Sequence, residues 1–110
     1  MLVRHIVETL SLEVLAGDDL LDQEAEGGYA ADLLSCVMAG AEAGDVWITL
    51  QTHANIVAVA SLLGIVAIIV AEGAPVPEET LAKAAQQDMI VLSCAEPVYE
   101  TIAQLVKLGL

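Results

Sequence analysis

With 110 residues, 57% of them apolar and 17% charged, the chain is long enough for one packed core and too apolar to be disordered. Sixteen acids stand against three bases, Arg4, Lys83 and Lys107, for a formal charge of −13. Such a surface repels phosphate backbones and anionic membranes, so nucleic acid and membrane are both excluded as expected partners, and the acidity reads first as a solubility device.

Leu2, Val3, Ile6, Val7 and Leu10 recur at helical spacing, predicting an opening helix that ends near Ser11. Leu12–Ala16 alternates as a short strand and stops at Gly17. Asp18–Glu26 is a polar connection, and Tyr29-Ala30-Ala31, after Gly27-Gly28, predicts a second strand. Asp32 or Ser35 caps a helix to about Ala41, with Leu33, Leu34, Val37 and Met38 expected inward. Val46–Gln51 is dense in β-formers. Thr52–Asn55 links it to a helix over Ile56–Leu63; Gly64 ends that helix, and Ile65–Ala71 is the next strand. After the Gly73–Pro77 loop, Glu78 and Glu79 open a helix to about Gln87, where acids suit the helix dipole. Met89–Ser93 is the last strand. Pro97 begins a final helix to Leu108, striped by Val98, Ile102, Leu105 and Val106.

From Val46 onward strand and helix alternate, and continuous apolar strands separated by helices imply a parallel sheet covered on both faces. The first part has another rhythm, so the sheet is expected to be mixed. Residues 1–110 are read as one domain. Ile56–Ala71 imitates a membrane span, with Ser61 its only polar side chain, yet a spanning helix needs about 20 such residues and flanking bases. The run is instead read as a buried helix and a buried strand broken at Gly64. The N-terminus reaches Glu8 before any signal-length apolar run, and Cys36 and Cys94 form no CxxC pair. A cytoplasmic chain with two reduced, buried thiols is expected, and the apolar excess points to a homo-oligomer, a homodimer first.

Phosphate-loop, dinucleotide, zinc-protease and nucleophile-elbow motifs are all lacking, and no cofactor or metal is expected. Asp18–Glu26 fails as a calcium loop because Leu20 and Leu21 interrupt its oxygens and no glycine falls in place. His53 is the more suggestive residue, following one buried strand and preceding a helix. It should stand with Thr52 and Asn55 at the carboxyl edge of the sheet, near Gly73, Ser93, Cys94 and Glu96, where ligands of open α/β sheets bind. The competing reading is structural: Thr52 or Asn55 caps the helix and His53 bonds locally. Cys36 is expected buried beside Val37 and Met38, and Cys94 more accessible. Trp47 is expected in the core or an interface.

Asp22-Gln23-Glu24-Ala25-Glu26-Gly27-Gly28-Tyr29, then Asp32-Leu33-Leu34-Ser35 and Val37-Met38-Ala39, resemble the DRTGG domain, and Trp47-Ile48-Thr49-Leu50-Gln51-Thr52-His53-Ala54-Asn55 extends the resemblance along nearly the whole chain. Asp22, Gly27 and Gly28 are read as matching the signature, at a spacing two residues longer than its own, with Gln23 taken for its arginine and Glu26 for its threonine. DRTGG domains accompany larger enzymes, including family II pyrophosphatases with CBS domains, as regulatory or ligand-sensing parts. Their fold is similar to the non-catalytic N-terminal domain of HPr kinase/phosphorylase. The resemblance thus implies a three-layer α/β/α sandwich with a mixed, largely parallel sheet, and no inherited kinase activity. The function expected is a stand-alone regulatory module binding a nucleotide or other small ligand through Gly27, Gly28, Thr52, His53 and Asn55. The alternatives are a module docking on a metabolic enzyme without a ligand, and, last, a small enzyme using His53 with Cys94 or Glu96.

Overall fold

Each helix needs an apolar stripe and each central strand needs two covered faces, and the chain arranges its five helices and five strands to meet both demands. The computed structural model describes residues 1–110, in the order α1 (Val3–Leu10), β1 (Glu13–Ala16), β2 (Gly27–Ala30), α2 (Leu34–Gly40), β3 (Asp45–Thr49), α3 (Asn55–Leu63), β4 (Ala67–Val70), α4 (Glu78–Gln86), β5 (Ile90–Ser93) and α5 (Val98–Leu108). One sheet runs β1-β5-β4-β3-β2. Neighbours from β2 to β5 are parallel, and β1 lies antiparallel on β5.

From β2 to β5 every crossover steps to the adjacent strand in the same direction. Crossovers of one hand then place α2, α3 and α4 on a single face. Val37, Ile56, Val57, Ala60 and Ala84 from those helices pack there against Trp47, Ile68, Val70 and Val91. On the other face Val3 and Ile6 of α1 and Leu105 of α5 cover Val46, Ile48, Ala67, Ile69, Ile90 and Leu92. The two lists take alternate residues of each strand, as the period of two requires. The result is a three-layer α/β/α sandwich.

The oily middle of the sequence divides where expected. Gly64 adopts φ 73° and closes α3 with its N–H on the Ala60 and Ser61 carbonyls, a left-handed stop that a side chain would strain. All of β4 beyond it is buried. No helix is long and apolar enough to cross a membrane. Trp47 is wholly buried, and its Nε1 donates to the Ala31 carbonyl at 2.9 Å.

Several local expectations are corrected. β2 contains both glycines and stops at Ala30. α2 is a seven-residue helix beside the β2 edge, so only Val37 is buried, while Leu33 and Met38 overhang with 64% and 52% of their surface exposed. Cys36 is exposed on the same helix. Cys94 is the buried thiol: it follows β5 directly into the core beneath α5, where its Sγ lies 3.3 Å from Thr101 Oγ1. On α5 Thr101 and Leu105 are buried, and Val106 is exposed.

Candidate functional site

Parallel strands all end at one edge, so the loops after β2, β3, β4 and β5 meet there. The β3 loop is held from two sides. Asp32, read from sequence as a possible helix cap, instead reaches across to β3: its Oδ1 accepts from Thr49 Oγ1 at 2.9 Å and from the Leu50 amide at 2.8 Å. Thr49 Oγ1 also accepts from the Gln51 amide. From the opposite side Thr80 Oγ1 of α4 donates to the Thr52 carbonyl at 2.7 Å. The loop that carries Thr52, His53 and Asn55 is therefore anchored to both α2's approach and α4.

His53 is exposed, and its Nδ1 accepts the Asn55 amide at 3.0 Å. With Nδ1 accepting, Nε2 is the ring nitrogen left to donate, on a residue that is exposed. The next two amides of α3 are also engaged, Ile56 with the His53 carbonyl and Val57 with that of Ala54. The helix start thus satisfies its first donors internally, through histidine rather than through Thr52 or Asn55 side chains. What it offers a ligand is side-chain chemistry: an imidazole N–H and the polar groups of Thr52 and Asn55.

Between β4 and β5 the chain exits diverge, β4 toward α4 on one face and β5 toward α5 on the other. Such a divergence opens a crevice in many α/β sheets. Here backbone bonds close it: the Glu72 amide donates to the Glu96 carbonyl and the Gly73 amide to the Cys94 carbonyl, both at 2.9 Å. Glu72 and Gly73 both take left-handed φ, 60° and 63°, to make this turn. Cys94 is in the core under α5, whereas His53 opens α3 on the other face, so the pairing a His53–Cys94 enzyme needs is not made.

The five residues read as one ligand lining fall into two groups. Thr52, His53 and Asn55 follow the end of β3. Gly27 and Gly28 pair with Asp45 and Val46 at its beginning. A four-residue strand step between the groups is about 13 Å, so one small ligand does not touch both sets together. Gly28 lies instead in an apolar groove of about 130 Å³ between the β2 side of the sheet and α5, walled by Ile48, Ile102, Leu105 and Val106. A wider hollow of about 490 Å³ opens at the amino-terminal edge beside Gln23, Glu24, Gly44 and Ser61. Along the acidic connection the Asp22 carboxylate pairs with Arg4 Nε at 2.8 Å. That hydrogen bond, with the guanidinium charge, holds Asp22 below the ordinary carboxylate value.

Taken together, the layers, strand order and edge loops define a class: an open α/β/α sandwich whose four parallel strands step in one direction and whose antiparallel strand closes the far side. No family model matches the sequence, and no curated protein matches it. Among solved structures it is similar to the crystal structure of the CBS and DRTGG domains of the regulatory region of Clostridium perfringens pyrophosphatase, complexed with its activator diadenosine tetraphosphate. The TM-score is 0.73 at 18% identity, covering 94% of this chain and 45% of that one. The chain thus spans less than half of that structure, and its fold is that of a DRTGG-like domain.

Proposed function

We propose that this chain is a non-catalytic regulatory module, residues 1–110 acting as one DRTGG-like domain that senses a small ligand at the Thr52–Asn55 edge. The observation that carries the reading is the likeness, across 94% of the chain, to a regulatory region crystallised with a nucleotide activator. The edge chemistry supports it: His53 Nε2, Thr52 and Asn55 form a hydrogen-bonding set on a loop braced by Asp32 and Thr80. A nucleobase or ribose suits that set. A polyphosphate does not, because no lysine or arginine occurs between Arg4 and Lys83.

The test is calorimetric titration with adenosine, AMP and ATP at two ionic strengths. The reading predicts that adenosine binds at least as well as ATP. It also predicts that added salt or Mg²⁺ strengthens ATP binding by screening repulsion from the acidic surface. Heat from none of them at millimolar concentration refutes the nucleotide version. A second reading, docking on a metabolic enzyme, is favoured by the exposed apolar side chains of Leu33, Met38 and Leu62. A homodimer would use the same kind of surface, and sedimentation of the purified chain decides that point.

A further inference from the structure

We infer that the β2 edge, together with the groove beside it, is a docking surface for an extended, cationic segment of another protein, which adds as a sixth strand. This surface is separate from the Thr52–Asn55 edge, and the inference stands without the ligand-sensing reading.

The two edges of the sheet are built differently. The β1 edge begins with Glu13 and carries a register irregularity between Val14 and Ala16, the kind of charge and bulge that discourages strand addition. β2 has neither. Its four residues, Gly27-Gly28-Tyr29-Ala30, are uncharged and keep regular register with β3. The Ala31 amide donates to the Ile48 carbonyl, so by alternation the Gly28 and Ala30 amides face away from β3, and both residues are exposed. An added strand finds free backbone partners there.

The groove supplies a side-chain socket on the same edge. Gly28 leaves its floor open, and Val106, 67% exposed on α5, forms its outer wall. At about 130 Å³ it takes one aliphatic side chain from an added strand.

Charge sets the partner. Glu26 precedes β2, Asp45 stands against Gly27 with its Oδ1 2.8 Å from where a β-carbon would be, and Asp32 follows Ala30 by two residues. The three bases are elsewhere: Arg4 is tied to Asp22, Lys83 is on α4, and Lys107 lines a hollow shared with α1. A second copy of this chain fits poorly, since antiparallel pairing of β2 with itself brings Glu26 beside Asp32 of the other copy. A segment with lysine or arginine around one aliphatic residue fits both the acids and the socket.

The probe is a blocked peptide with a central leucine flanked by threonines and lysines, titrated into the isotope-labelled chain. Expected are amide shift changes and slowed hydrogen exchange at Gly28 and Ala30. Val106→Ser should weaken binding at least about tenfold by removing the socket wall. Gly28→Val should do the same while folding normally, since the nearest atoms to an added β-carbon are at 3.7 and 3.9 Å. The counterpart peptide with glutamates for lysines should not bind. No binding at millimolar peptide, shifts mapping elsewhere, or equal binding by the glutamate peptide overturns the inference. So does protection of the Gly28 and Ala30 amides in the chain alone, which would assign the edge to a second copy.

Discussion

Asp32 offers the sharpest test of how the β3 loop is held. In Asp32→Ala, Thr49 Oγ1, only 1% exposed as a residue, loses the acceptor for its proton, because its remaining bond is one it accepts from the Gln51 amide. A buried donor left without a partner costs about 1–3 kcal/mol, and a bond from an amide to a charged carboxylate contributes about 1.5–3 kcal/mol. Leu50 is exposed, so water replaces much of the second bond, and the expected total is about 2–3 kcal/mol. For a chain of this size that lowers Tm by roughly 8–12 °C. Urea unfolding followed by Trp47 fluorescence measures the difference directly. Asp32→Asn keeps an acceptor at Oδ1 and should cost under about 1 kcal/mol. In a Thr49→Val background Asp32→Ala should cost about 1 kcal/mol less than alone, which a double-mutant cycle reads as coupling. If Asp32→Ala lies within about 0.5 kcal/mol of the parent, or if Asn is as costly as Ala, the bracing role assigned to this carboxylate is wrong.

The helix stop at Gly64 predicts that Gly64→Ala destabilises by about 1–2 kcal/mol, from left-handed backbone strain. The new β-carbon would also stand 3.2 Å from that of Ala43, so the turn at Ala43 must shift. An unchanged urea midpoint would contradict the stop. The two thiols should differ sharply: exposed Cys36 reacts with an aromatic disulfide reagent in the folded chain, and Cys94 only after unfolding, so that equal rates would remove Cys94 from the core. The Arg4–Asp22 pair lowers the folded value of Asp22, so it stabilises the fold above the ordinary carboxylate range. That contribution disappears as pH falls through the lowered value. Asp22→Asn should therefore be slightly less stable than the parent at neutral pH and equal to it in strong acid. Because the pair is exposed, the gap is small and closes in high salt, and a gap that widens in acid would reverse the assignment.

The layer order was readable because it rests on patterns that local physics enforces. β-branched runs alternate with helix stripes from Val46 onward, and Gly64 sits where an apolar stretch must change from period 3.6 to period two. Trp47 was placed correctly for the same reason, lying inside such a run. The errors fall where a distant partner decides. Asp32 precedes a helix and looks like a cap, but its hydrogen bonds go to Thr49 and Leu50, 17 and 18 residues away. Cys36 and Cys94 exchanged roles because α2 overhangs the sheet edge and α5 folds down over the end of β5, and neither fact is local. His53 shows the same limit on a smaller scale. Sequence placed it in the right loop, but its ring, not Thr52 or Asn55, takes the first free amide of α3. Nor does spacing along the chain reveal that Gly27-Gly28 and Thr52–Asn55 occupy opposite ends of β3, since that depends on strand register.

Amide shift mapping with adenosine is the most direct trial of the regulatory reading. Perturbations centred on Thr52, His53 and Asn55, and lost in His53→Ala while the fold persists, are the outcome the account predicts. A spectrum that stays unchanged at saturating nucleoside, or that moves only at residues remote from the end of β3, would contradict it.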